Sequence, residues 1–132
     1  MKNILFTVLC ILFLNGVSFG QININTEGTN KFTYSIVYSI NNNLVESWNY
    51  CFSEDAVVKV QNKEVPVAIF RDQIFNSDNQ TKITEVIQSQ NDGWKIYLII
   101  ADEKSGVKKQ IWDFEYDQDL AKIRKLTVSD ID

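Results

Sequence analysis

The sequence predicts an α+β fold in which helices precede an antiparallel sheet, and two patterns along the chain support this prediction. From Thr81 onward, four runs rich in β-branched and aromatic residues are separated by short turns, which is typical of consecutive strands in a meander. One turn contains Asp92-Gly93, a pair that readily adopts the positive φ of a hairpin turn. Upstream, apolar residues recur at helical spacing between Leu44 and Phe52, so we expect a helix before the sheet.

Residues 44–60 are predicted to form a helix followed by a strand. Five apolar side chains fall within an arc of about 120° on a helix, namely Leu44, Val45, Trp48, Cys51 and Phe52. The acidic pair Glu54-Asp55 interrupts this pattern, and residues 56–60 are β-branched and strand-like. We therefore expect the acidic pair to cap the helix or to lie in a turn before the first strand.

Two other segments fit either a helix or a strand. Residues 31–40 alternate strictly between apolar or aromatic and smaller side chains, and their local propensity favours a strand. A helix would instead gather four apolar residues on one face, namely Phe32, Ile36, Val37 and Ile40. Residues 64–75 also permit both structures, with Pro66 near the first turn of a helix.

The first 20 residues are expected to be a secretory signal peptide. They hold one lysine near the start, an apolar run from Ile4 to Leu14, and small residues at Ser18 and Gly20, which indicates cleavage before Gln21. The apolar run is shorter than the roughly 20 residues that span a bilayer. We expect a secreted or periplasmic protein with a signal peptide at 1–20, a polar leader at 21–30 and a single domain at 31–132.

The composition excludes several functional classes. Without residues 1–20, the remaining 112 residues carry 12 bases and 17 acids, a net charge of −5, so nucleic acid is not an expected partner. Histidine is absent, which removes His-dependent nucleophiles, His general bases and nearly all catalytic zinc sites. Cys51 then has no second thiol to pair with, and we expect a small core residue rather than a nucleophile. No cofactor or metal is predicted.

Taken in order, the segments resemble the nuclear transport factor 2-like superfamily, in particular its SnoaL-like members. The run INNNLVESWNYCFSEDAVVKV is similar to the family's helix end, second helix, acidic pair and first strand, and NKEVPVAIFRDQIF is similar to its third helix. NDGWKIYLII resembles the central hairpin, and FEYDQDLAKIRKL resembles the aromatic strand and the entry to the last strand.

The resemblance covers about residues 31–131. It implies a cone in which a curved antiparallel sheet wraps around about three N-terminal helices and leaves a pocket at its open end. It also favours a helix at 31–40. The alternative is an all-β meander of about eight strands, similar to a small lipocalin-like barrel.

Some relatives implied by this resemblance are ketosteroid isomerases, which need a carboxylate base, a tyrosine and a protonated aspartic acid. Aligned without gaps, those positions fall on Val60, Ile36 and Trp112. None of the three side chains can perform the corresponding role, so isomerase chemistry of this kind is not expected.

The aromatic residues are the candidates for a ligand pocket. Trp112, Phe114 and Tyr116 share one face of a strand, where they would either form plain core or present indole and phenol groups to a ligand. Further candidates for the same pocket are Tyr34, Tyr38, Trp48 and Tyr97.

Three functional hypotheses follow. The first is an exported, non-enzymatic domain that binds a small apolar or aromatic molecule in the cone. The second is an interaction module whose sheet face, with Tyr97, Ile99 and Ile111, pairs with itself as a homodimer or with another exported protein. The third is a divergent isomerase, cyclase or dehydratase, which would need a buried carboxylate of raised pKa.

Overall fold

The computed structural model describes residues 24–131, and the predicted signal peptide at 1–20 lies outside these residues. Three helices and six strands are present in the described range: α1 (Lys31–Asn42), α2 (Val45–Cys51), β1 (Phe52–Val60), β2 (Lys63–Pro66), α3 (Val67–Ile74), β3 (Lys82–Gln90), β4 (Lys95–Asp102), β5 (Gly106–Asp117) and β6 (Lys122–Asp130).

The six strands form one curved sheet in the order β2-β1-β6-β5-β4-β3. Every neighbouring pair is antiparallel except β1 and β6, which run parallel. The concave face packs against the helices and encloses the core. The predicted α+β fold is therefore confirmed, and the all-β barrel alternative is wrong.

Helix α1 forms where local propensity favours a strand, and capping and burial explain why. Asn30 Oδ1 accepts hydrogen bonds from the backbone N–H of Phe32 and of Thr33, both at 3.0 Å, and Thr33 Oγ1 accepts one from the Asn30 N–H at 3.1 Å. This capping box satisfies donors at the start of the helix. The face containing Ile36 and Val37 is buried, so packing outweighs the propensity of the isolated segment.

The junction between α2 and β1 differs from the prediction in two respects. Trp48 and Cys51 are buried as expected, but Leu44 is 41% exposed because it precedes the helix. Glu54 and Asp55 do not cap a helix or form a turn; they lie inside β1, where its pairing with β6 shifts register. The exposed pair thus occupies an irregular part of a strand. The short hairpin of β1 with β2 was not predicted.

The four predicted strands of the meander are confirmed as β3 to β6. In β4 the side chains alternate as expected: Ile96, Leu98 and Ile100 are buried on the concave face, whereas Tyr97 and Ile99 are partly exposed on the opposite face. Residues on one face of β4 therefore meet the helices, and those on the other face remain accessible.

Asn41 holds the edge strand β3 against α1. Its side-chain amide donates to the Ile83 carbonyl at 2.9 Å and accepts from the Ile83 N–H at 2.8 Å. Asn41 is 4% exposed and Ile83 is fully buried, so the amide substitutes for a neighbouring strand at a position without one.

The end of the sheet nearest the chain start is closed by aromatic rings. Phe32 lies 5.7 Å from Trp94 and 5.2 Å from Tyr116, measured between ring centroids, and Trp94 stacks on Tyr116 at 4.8 Å. The backbone just before α1 also approaches this end, where a Cβ on Gly93 would lie 2.3 Å from the Asn30 backbone nitrogen. Only glycine allows this close approach.

Candidate functional site

A cavity of about 310 Å³ opens at the opposite end of the sheet. Strands β1, β4 and β6 end there, β3 and β5 begin there, and α3 covers it. Its deeper walls are apolar and comprise Val60, Phe70, Ile74, Ile100, Trp112 and Val128. The curvature of the sheet thus leaves a space that the helices do not fill.

Trp112 backs the wall of this cavity. It is completely buried, and its indole Nε1 donates to Gln110 Oε1 at 2.9 Å. Gln110 Nε2 in turn donates to Asp130 Oδ1 at 2.8 Å. The Phe70 ring packs edge-on against Trp112 at 5.8 Å. With its polar atom paired and its ring enclosed by packing, the indole is a fixed layer behind the cavity wall. The apolar lining residues that a ligand can reach include the partly exposed Val60 and Phe70.

The rim of the cavity is polar and held by hydrogen bonds. Asp102 Oδ1 accepts from the backbone N–H groups of Lys104 and Ser105, which shapes the turn between β4 and β5. The Glu103 N–H donates to the Asn79 carbonyl at 2.7 Å. This last bond ties the loop before β3 to the β4–β5 turn, so two segments of the rim are positioned together.

The structure brings one of the seven candidate residues to the cavity wall, namely Trp112. Phe114 is its buried neighbour further along the same face, with 6.3 Å between ring centroids. Tyr116 belongs to the ring cluster at the closed end.

The other four candidates lie elsewhere. Trp48 is buried among rings from β1 and α3, 4.7 Å from Phe52 between centroids, and its Nε1 has no hydrogen-bond partner within residues 24–131. Tyr97 is on the face of β4 directed away from the cavity. Tyr34 and Tyr38 stack on each other at 6.0 Å and are each 47% exposed.

The three positions that the isomerase resemblance implies are occupied by apolar side chains in distinct places. Val60 and Trp112 line the cavity, whereas Ile36 is fully buried in α1. Asp102 is the one acidic residue among the cavity-lining residues described, and it lies at the rim. Glu54 and Asp55 line a separate, wider depression of about 690 Å³ near the starts of β1 and β6.

Sequence reasoning missed the polar lining residues on β5. Lys108 and Gln110 share the concave face with Trp112 because side chains alternate along the strand. The alternation that singled out Trp112, Phe114 and Tyr116 would have identified them if it had been extended towards the start of the strand.

Cys51 does not contribute to the cavity. Burial raises the pKa of its thiol to about 11, an effect that the nearby charge of Lys122 opposes, and its Sγ donates to the Ser47 carbonyl at 3.4 Å. A protonated, buried thiol is a poor nucleophile.

Residues 24–131 show neither a metal cluster nor a membrane-spanning helix. No cluster of three or more side chains suited to hold a metal ion occurs among them. No helix in this part of the chain combines the length and apolar character needed to cross a membrane.

Solved structures with the same arrangement of helices and strands identify the fold. An NTF2-like protein of unknown function from Cytophaga hutchinsonii superimposes with a TM-score of 0.61 at 11% identity, over 82% of this chain and 91% of that one. The chain has the nuclear transport factor 2-like fold.

Two other structures share this NTF2-like fold. A protein of unknown function with a cystatin-like fold from Methylobium petroleophilum matches with a TM-score of 0.57 at 12% identity, covering 83% of this chain and 79% of that one. A Mycobacterium tuberculosis protein in complex with estradiol-17β-hemisuccinate matches with a TM-score of 0.57 at 13% identity, covering 74% and 88%. No family model and no curated protein sequence matches the chain.

Proposed function

We propose that this domain acts outside the cytoplasm and binds a small apolar, ring-bearing molecule in the cavity lined by Val60 and Phe70, without catalysing a reaction on it. The observation that carries the proposal is the pairing of a rigid apolar interior with a hydrogen-bonded polar rim. Ligand pockets combine these two features and occupy about 300–1,000 Å³, a range that includes the 310 Å³ found here.

The NTF2-like fold supports this proposal by analogy. The Mycobacterium tuberculosis protein of the same fold was solved with a steroid derivative, which is a ring-bearing and largely apolar molecule. At 13% identity the two chains share a fold rather than demonstrated chemistry. Its own cavity therefore carries the proposal for this chain.

The lining residues favour binding over catalysis. Val60 and Trp112 provide no proton acceptor in the interior. Asp102 is partly exposed at the rim, and its Oδ1 already accepts two backbone hydrogen bonds. An isomerase, cyclase or dehydratase would need a carboxylate held in the apolar part of the pocket. Export is proposed from the pattern of residues 1–20.

Filling the cavity tests the proposal. We expect residues 21–132 to bind the neutral probe 2-naphthamide in calorimetric titration, and Val60→Phe to weaken that affinity by about tenfold because the larger ring occupies the space of the probe. Val107→Phe is the matched control, since Val107 is 74% exposed and does not line the cavity. Absence of probe binding, or equal affinities for the two variants, would refute the proposal. Native mass spectrometry of the purified protein would in addition detect a retained natural ligand.

The outer face of the sheet favours a second candidate function, pairing between two copies of the chain. Tyr97 and Ile111 lie opposite each other on β4 and β5, and both are partly exposed together with Ile99. Burying such a face is a common route to homodimers. Light scattering after size-exclusion chromatography should then give a dimer mass that Ile99→Lys halves. A monomer at high protein concentration would eliminate this candidate.

A further inference from the structure

An inward-facing lysine lies at the mouth of the cavity. Along β5 the residues on the concave face are Lys108, Gln110 and Trp112, so the strand becomes more apolar from the mouth to the interior. Lys108 is paired with Ile100 across β4, and Ile100 also lines the cavity. Inward charges commonly protect edge strands from aggregation, but β5 lies between β4 and β6. Edge protection therefore does not explain this lysine.

At the mouth, two lysine side chains have no bonding partner within the described residues, whereas two carboxylates each accept hydrogen bonds. Lys104 and Lys108 both line the cavity, and within residues 24–131 neither Nζ forms a salt bridge or a hydrogen bond. Asp102 Oδ1 is occupied by backbone N–H groups, and Asp130 Oδ1 accepts from Gln110.

Gln110 adds a neutral donor at the boundary between rim and interior. Its Oε1 accepts from Trp112 and its Nε2 donates to Asp130. An amide nitrogen carries two hydrogens, so one remains for a ligand. Together with the two lysines, Gln110 thus supplies donors on one side of the mouth, and such donors suit an anionic acceptor.

We propose that the ligand carries a carboxylate, which binds at the mouth to Lys104, Lys108 and Gln110 Nε2 while its apolar ring system lies against Val60 and Phe70. The inference rests on the proposed binding function and specifies its ligand class as amphipathic organic acids. The carboxylate stays near solvent, where its desolvation cost is small, and the ring system enters the apolar interior.

The test compares 2-naphthoate with its neutral analogue 2-naphthamide in calorimetric titrations of residues 21–132 at low salt. We expect 2-naphthoate to bind about fivefold more tightly, the amount that one or two partly screened ion pairs supply. Raising the salt concentration should reduce this preference, because exposed charges are screened.

Matched lysine variants locate the effect. Lys108→Gln should reduce the preference for 2-naphthoate, the double variant Lys104→Gln/Lys108→Gln should lower its affinity to that for 2-naphthamide, and Lys108→Arg should retain the preference. Lys109→Gln is the control, because Lys109 is exposed on the opposite face of the same strand and does not line the cavity. All these side chains are exposed, so the folded state should tolerate the changes.

The outcomes separate this inference from the proposed function. Equal affinities of the wild-type protein for the two probes, or an equal loss in the Lys108 and Lys109 variants, would overturn the carboxylate inference and leave ligand binding intact. Failure of both probes to bind would overturn both proposals.

Discussion

Asn41→Ala should destabilise the domain strongly, because one amide satisfies two buried backbone groups. The side chain bonds the Ile83 N–H at 2.8 Å and the Ile83 carbonyl at 2.9 Å, and Asn41 is 4% exposed. Each buried polar group left without a partner costs about 1–3 kcal/mol. The expected loss of unfolding free energy for the two groups is therefore about 2–6 kcal/mol, a large share of the roughly 5–15 kcal/mol typical of small domains.

Urea unfolding of residues 21–132, followed by far-ultraviolet circular dichroism, measures this loss. With a denaturant slope of about 2 kcal/mol per molar urea, the midpoint should fall by about 1–3 M. Asn42→Ala is the matched control: Asn42 Nδ2 donates to the Tyr38 carbonyl at an exposed site, so its loss should stay below about 0.5 kcal/mol. Hydrogen exchange of the Ile83 amide should accelerate in Asn41→Ala alone. Equal stability of the two variants, with unchanged exchange at Ile83, would refute the reasoning.

Three further predictions follow from the same structure. Gly93→Ala should cost about 3 kcal/mol, because its φ of +87° is strained for alanine and the new Cβ would meet the N-terminal segment at 2.3 Å. Gly106→Ala, at φ +75° with no atom within 4 Å, should cost only about 1 kcal/mol, and equal costs in thermal unfolding would contradict the predicted clash. Cys51, with its pKa raised by burial to about 11 from 9.0, should react with Ellman's reagent at pH 8 about 100-fold more slowly when folded than in denaturant; similar rates would show an accessible thiolate. Tyr34→Ser and Tyr38→Ser should change 2-naphthamide affinity by less than about twofold, since neither tyrosine lines the cavity, and a larger loss in calorimetry would place α1 at the site.

The strands of the meander were predictable because their signals are local. Tight turns divide residues 82–130 into four strands, and alternation sorts the side chains of β4 onto two faces without reference to any other segment. The helix at 31–42 was not predictable from local propensity. Its selection depends on burying Ile36 and Val37 under the sheet, and the resemblance to a known family supplied that information at the sequence level.

The errors occurred where pairing between distant strands decides the structure. The sequence of Glu54 and Asp55 suggests a turn, because acidic residues are depleted in strands. In the structure, however, β1 pairs with β6 on both sides of these residues, and the register shifts between the two paired parts. The β2 strand has four residues and too little alternation to be recognised. Its hairpin depends on Gln61 and Asn62 adopting positive φ of 53° and 65°, which those two residue types do not uniquely signal.

The candidate site was predictable in part. Trp112 was identified from the aromatic alternation and does line the cavity, because residues on one strand face necessarily share an environment. The separation of Trp112 in the middle of β5 from Tyr116 near its end could not be deduced, since neighbouring positions on one strand face look equivalent in sequence. Packing of Phe32 and Trp94 closes the end that contains Tyr116 and leaves the Trp112 end open.

The sequence by itself determined the meander, the amphipathic face of α2 at Trp48 and Cys51, and the absence of histidine chemistry, because periodicity and composition are properties of the chain. The tertiary structure decided that residues 31–42 are helical, which end of the cone is closed, and that Lys104, Lys108 and Gln110 meet at one mouth. Those features depend on contacts between segments far apart in the chain, and burial free energy, rather than local conformational preference, selects them.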